Sequence, residues 1–204
     1  MPIIDRRLVL AALAALSLAA CSKGGSSAVT DQDMTMGNPN AKVTLVEYAS
    51  VACPHCARFE TQVFPEFKKK YIDTGKVYYV ARESLTGSAP VAAAGFLLAR
   101  CAGKDKYFQV TDAIYRAQDE MFTTGDVRGT LLRIAQSAGL SEDQFNKCIT
   151  DEKAIKALND RVEKTNTADH IEGTPTFIVN GKKVADGEVT LDQLSAAIDP
   201  LLAK

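Results

Sequence analysis

The period of the apolar residues changes several times along this chain, and each change marks an element. Val43, Leu45, Val46, Tyr48 and Ala49 crowd residues 43–49, the density expected of a buried strand. Past Cys53 the period lengthens. Phe59, Val63 and Phe67 recur every four residues, which predicts one apolar stripe down a helix ending near Tyr71. Pro54 suits the first turn of that helix, and Pro65 inside it predicts a kink. Residues 76–83 return to strand character. Strand, helix and strand make a βαβ unit with Cys53 and Cys56 at the N-terminus of the helix.

Residues 88–168 then read as helices. Val91, Ala94, Leu97 and Leu98 mark one over 90–101; Phe108, Ile114 and Tyr115 mark a second over 106–117. A third spans 128–138 and stops at Gly139. Ser141 and Gln144 form a capping box ahead of Phe145, Cys148 and Ile149, and Ile155, Leu158 and Val162 continue the pattern from 151 to about 165. Strand character resumes at Thr176-Phe177-Ile178-Val179. Asn180-Gly181 is a strong hairpin signal, and 182–185 is the returning strand. A second capping box, Thr190 with Gln193, opens a terminal helix with Leu191, Leu194, Ile198 and Leu201 inward.

The 204 residues are 46% hydrophobic, enough for one domain with a substantial core. Lys+Arg is 24 against 25 Asp+Glu, so no basic excess is present to grip nucleic acid. The N-terminus reads as a targeting segment. Arg6 and Arg7 precede an uncharged apolar run over 8–20, shorter than the roughly 20 residues a spanning helix needs and typical of a secretory leader. Leu18-Ala19-Ala20-Cys21 resembles a bacterial lipobox, which makes Cys21 the expected lipid-bearing N-terminus after cleavage; ordinary cleavage would leave it a free thiol. Ser22 after Cys21 favours the outer membrane. The Gly/Ser content of 22–27 predicts a flexible tether over 21–33. Export puts the folded chain where cysteines pair.

Five cysteines are present: Cys21, Cys53, Cys56, Cys101 and Cys148. A zinc site at Cys53–Cys56 would want a second close Cys/His pair, and the two histidines, His55 and His170, do not supply it. A c-type haem would want His where Ala57 stands. A redox disulfide needs a strand in, a helix out and an accessible first cysteine, and those signals are present. At a helix N-terminus Cys53 is favoured as an anion, with His55 as a further donor. Cys56, one turn in, is expected to be shielded.

The leader, the strand–Cys-Pro-His-Cys–helix segment, Gly173-Thr174-Pro175-Thr176-Phe177 and the helices between resemble the DsbA family of thiol:disulfide oxidoreductases over 34–202. The resemblance implies an α/β, thioredoxin-like fold with a helical insertion domain. Its parts would be a leader (1–20), a lipidated tether (21–33), a first half (34–87), the insertion (88–168) and a second half (169–204). It further implies Cys53, Pro54, His55 and Cys56 as the catalytic motif, with a cis Pro175 beside Thr174 offering backbone to substrate. Glu47 matches the family's buried acid, with Lys76 and Arg82 both candidates for its basic partner. Cys101 and Cys148 are either small buried hydrophobes or a disulfide joining two helices, as some DsbA-like proteins have. His170 reads as a loop histidine.

The expected activity is oxidation of exported proteins through a mixed disulfide on Cys53, by a monomer without metal or cofactor. The resemblance also implies reoxidation by a quinone-linked membrane protein, and a lipid anchor holding the enzyme at the cell envelope, facing the periplasm. Two alternatives stand: an isomerase or reductase of the same fold, and a lipoprotein that only binds envelope proteins. Pro-His between the cysteines favours the oxidase.

Overall fold

The computed structural model describes residues 28–203; the leader and the Cys21 lipidation site lie outside them. The sheet comprises β1 (Met34–Met36), β2 (Val43–Ala49), β3 (Val77–Glu83), β4 (Thr176–Val179) and β5 (Lys182–Asp186), in the order β1-β3-β2-β4-β5. β2 and β3 run parallel, and the other neighbours are antiparallel. That central parallel pair needs a crossover, and the chain between the two strands supplies it in helical form.

The crossover is not one helix. α1 (Pro54–Gln62) ends at Val63, a short α2 (Phe64–Phe67) follows, and a π-helical turn at Lys68–Ile72 completes the path. Pro65 explains the interruption: it lacks an N–H, and its ring crowds the carbonyl four residues back. The apolar stripe survives the break. Phe59, Phe67 and Tyr71 are buried against Val43, Leu45, Val77 and Phe177 on one sheet face, together with Leu194 and Ile198 of α8 (Leu191–Leu202). The capping boxes predicted at Thr190 and Ser141 are both present.

α3 (Ala89–Cys101), α4 (Tyr107–Thr124), α5 (Val127–Ser137), α6 (Glu142–Thr150) and α7 (Glu152–Ala168) lie between β3 and β4. α4 runs well past its expected end and stops where Gly125 takes a left-handed φ of 73°, a conformation glycine adopts without steric cost. Helix α3 is tied to α6 by a Cys101–Cys148 disulfide with a Cα–Cα distance of 6.0 Å. The apolar core of these helices, including Phe96, Ile114 and Phe145, is continuous with Val51, Ala52, Cys53 and Cys56. The cysteine motif thus sits on the seam between sheet and helices.

Two features depart from the sequence reading. β1 was not expected, and the tether predicted for 21–33 does not extend through its last residues. Asp33 accepts from Arg82 Nε at 3.2 Å, and the carbonyls of Gln32 and Asp31 accept from Arg100 at 3.0 Å and Lys104 at 2.8 Å. Charged partners from β3, α3 and the turn after α3, distant in sequence, hold this segment down.

Candidate active site

β2 ends at Ala49 and the chain turns sharply, Cys53 N–H donating to Ser50 O at 3.0 Å. Cys53 then takes an extended conformation (φ −98°, ψ 122°) as the N-cap of α1, with Pro54 next. This places its sulfur over the free N–H groups of the first helical turn. Both Cys53 and Cys56 are free thiols, so the structure is that of the reduced pair. The Thr174–Pro175 bond is cis. The loop that contains it closes over the motif, with Thr174 O 3.4 Å from Cys53 Sγ. Pro175 O is occupied by Gly187 N–H at 2.7 Å.

The two sulfurs differ sharply in proton affinity. Cys53 is held down to about 5, mainly by the Cys56 S–H; burial opposes this, and the Thr174 hydroxyl and the N–H groups of Cys56 and His55 add to it. Burial pushes the Cys56 thiol well up, and the charge that Cys53 carries pushes the same way. One sulfur is therefore an anion at neutral pH, and its neighbour holds a proton.

His55 acts on Cys53 differently from expectation. Its backbone N–H faces the sulfur, but its ring is directed to Glu188 and Arg58. Glu188, in the loop ahead of α8, competes for the imidazole; it also accepts from Arg58 Nε at 2.8 Å. Arg58 first, and His55 second, hold the Glu188 carboxyl down to about 2.

Glu47 is fully buried on the α1 face of β2. Tyr79 O–H donates to its Oε2 at 2.8 Å, and its Oε1 has no hydrogen-bond partner. Burial raises this carboxyl to about 8, against the opposing effect of the Tyr79 bond, so it is mostly protonated at neutral pH. Neither expected basic partner reaches it. The parallel register sets Arg82 opposite Tyr48, one residue out of phase with Glu47, so Arg82 projects to the other face and pairs with Asp33 and Asp169. Lys76 precedes β3, and Val77 pairs with Val43, four residues from Glu47. The neighbour that chain pattern did not reveal is Tyr79, whose hydroxyl also lies 3.4 Å from Glu60 Oε1 of α1.

Gln118 was missed as well. It is buried on α4, and its Nε2 donates to Val51 O at 2.9 Å and Cys53 O at 3.3 Å. Its signal was a polar residue on the inward face marked by Ile114, Tyr115 and Met121, where it requires an internal partner. A cleft of about 520 Å³ opens between α1 and α4, with Pro54, Ala57, Arg58, Tyr115 and Asp119 in its walls. His170 lies in the turn after α7, with φ 51° and its carbonyl accepting from Lys183 at 3.0 Å. Among the described residues no group of three or more His, Cys, Asp or Glu is placed to hold a metal ion.

The family model described as Thioredoxin matches residues 29–200. A Rickettsia conorii protein named as a protein-disulfide oxidoreductase is 38% identical over 175 residues, covering 85% of this chain and 62% of its own length. A like-named Rickettsia bellii protein is 37% identical over 172 residues, covering 84% of this chain and 65% of its own. The chain thus spans under two thirds of these relatives. Among solved structures, alpha-DsbA1 of Wolbachia pipientis superposes with a TM-score of 0.77 at 29% identity, over 86% of this chain and 93% of that one.

Proposed function

Since this chain belongs to the DsbA family of thiol:disulfide oxidoreductases, on the thioredoxin fold, we propose that it oxidises exported proteins by donating a Cys53–Cys56 disulfide. The observation that carries this reading is the placement of Cys53 as the N-cap of α1 under the cis-proline loop, 3.4 Å from Thr174 O, with Cys56 buried one turn in. This arrangement holds the first thiol down to about 5 and pushes the second well up.

A substrate thiolate attacks Cys53 Sγ of the disulfide form. The Cys53–Cys56 bond breaks, and Cys56 leaves with the electron pair and takes up a proton. A second substrate thiolate then attacks the substrate sulfur of the mixed disulfide and expels Cys53 as a thiolate. Oxidised substrate departs, and the protein retains two electrons and one proton. Because Cys53 leaves as a stabilised anion, the reduced state is favoured. Each unit of lowering contributes up to about 1.4 kcal/mol, or roughly 30 mV of oxidising power.

Glu47 is the supporting acid: buried and protonated near neutral pH, it suits delivery of a proton to Cys56. Thr174 and Pro175 border the sulfur, and with Pro175 O taken by Gly187 it is the Thr174 main chain that is offered to an extended substrate segment. Among the described residues no helix is long and apolar enough to cross a membrane. We assign membrane attachment to lipid on Cys21, outside those residues, with the enzyme facing the periplasm and reoxidised by a quinone-linked membrane protein.

Equilibration with glutathione tests the reading. A Cys53–Cys56 potential more positive than about −180 mV supports disulfide donation, and a value below about −300 mV marks a structural bond. Cys53→Ser is expected to reduce oxidation of a reduced test protein to the uncatalysed rate.

A further inference from the structure

The loop that leaves β3 brings to the site a side chain that the exchange reaction does not use. Three attachments fix this loop beneath the turn before Cys53. Ser84 N–H donates to Ala49 O at 2.8 Å, and Ser50 Oγ donates to Thr86 O at 2.8 Å. Gly87, with φ +73°, lies so near the turn that a Cβ there would stand 2.4 Å from Ala52 O. Held in this way, Thr86 places its hydroxyl 2.5 Å from the hydroxyl of Thr174. Thr174 in turn meets Cys53 Sγ with its carbonyl at 3.4 Å, and its hydroxyl is among the groups that hold the Cys53 thiol down.

We propose that Thr86 is a positioning residue for the reactive sulfur: its hydroxyl donates to that of Thr174 and so leaves the Thr174 proton to point at Cys53. The proposal rests on the exchange role of Cys53 given above. A threonine hydroxyl has one proton and two lone pairs. Left alone, that of Thr174 can turn its proton toward any neighbouring acceptor. A proton received from Thr86 fills one lone pair and directs the remaining O–H elsewhere. Hydrogen bonds in such a chain polarise one another, so the second donates more strongly once its acceptor is an anion.

The thiolate stage of the reaction receives this donor. In a protonated Cys53 the S–H can give to the Thr174 carbonyl at 3.4 Å; the disulfide form that receives substrate has no such S–H, and the carbonyl is open there to an N–H of the bound segment. Thr86 thus links the β3 loop, through the Thr174 hydroxyl, to support of the leaving sulfur.

The test uses the full chain and follows thiolate absorbance against pH in the reduced protein. The other charged and titratable groups around Cys53 (Cys56, His55 and Arg58 of α1, and Glu188 before α8, which pairs with His55 and Arg58) remain unchanged in every variant, as does Asp119 of α4, which acts on Arg58. Thr86→Val is expected to raise the Cys53 pKa by about half a unit, roughly a threefold loss in acid dissociation. Thr86→Ser keeps the wild-type value. In a Thr174→Val background, Thr86→Val produces no further shift, an outcome that a merely structural loop residue would not give. Should Thr86→Val fail to fold, Thr86→Ala carries the same expectation. An unshifted Cys53 in folded Thr86→Val, beside a low wild-type value, overturns the role of Thr86 alone. An ordinary value near about 8.5 in the wild type overturns the exchange reading as well.

Discussion

The molecule holds two pairs of cysteines whose surroundings are close to opposites. Cys53 and Cys56 sit at the N-terminus of α1, and Cys53 is served there first by the Cys56 S–H and then by the Thr174 hydroxyl and backbone N–H groups. Cys101 is the last residue of α3, and Cys148 stands in the final turn of α6. A helix N-terminus carries partial positive charge and favours a thiolate; a C-terminus carries the reverse. The first pair is therefore set to gain electrons readily, and the second to keep its bond. The same two elements, sulfur and helix, give a reagent at one end of a helix and a staple at the other.

The broadest way to break this contrast is to remove the staple. Cys101→Ala with Cys148→Ala opens a loop of about 48 residues, and chain entropy predicts a loss of roughly 4 kcal/mol, less any strain relieved. Thermal unfolding is expected to show that loss, while the Cys53 pKa and the oxidation of a test protein stay at wild-type values. A matching fall in activity would mean that the two pairs are not independent.

Glu47 sharpens the comparison, because no such acid is needed by a staple. Its pKa is raised from an ordinary value of 4.5 to about 8 in the fold. The raised value has a definite sign. Below about pH 4.5 both folded and unfolded chains hold the proton and no penalty exists; above it the unfolded chain ionises first, and stability falls until about pH 8. Glu47→Gln removes that loss, of the order of a few kcal/mol. The variant is expected to melt above wild type near neutral pH, with the gap closing in acid. It is also expected to exchange disulfides more slowly near neutral pH.

The smallest effect is expected at Glu188. It is exposed, and ion pairs there are weak and screened by salt. Glu188→Gln releases the rings and guanidinium of His55 and Arg58 toward the sulfur, so the Cys53 pKa should fall by less than about half a unit, most clearly at low ionic strength. A rise would show that the carboxylate supports the thiolate rather than competing with it.

Much of this arrangement could be read from the chain. The strand at 43–49, the start of the helix after Cys53, the Asn180-Gly181 hairpin and both capping boxes rest on local rules, spacing and turn chemistry, and they occur where those rules put them. The far end of that helix does not, because the chain breaks at Val63 beside Pro65. Local rules also kept apart the residues that matter for tuning. Thr86, Gln118 and Glu188 reach the motif from three separate elements, and only packing brings them together. The basic partner sought for Glu47 failed for a related reason: strand parity turns Arg82 to the opposite face, and β3 register presents Tyr79 instead. The tether read from the Gly/Ser content of 22–27 was carried too far along the chain, since the charges that hold 31–33 belong to β3, α3 and the turn after it.

Titration of the Cys53 thiol in the reduced protein bears most directly on everything above. The arrangement at the head of α1 predicts a midpoint near 5, with Cys56 still protonated well into alkaline solution. A midpoint near about 8.5, the value of an unperturbed cysteine, would contradict it.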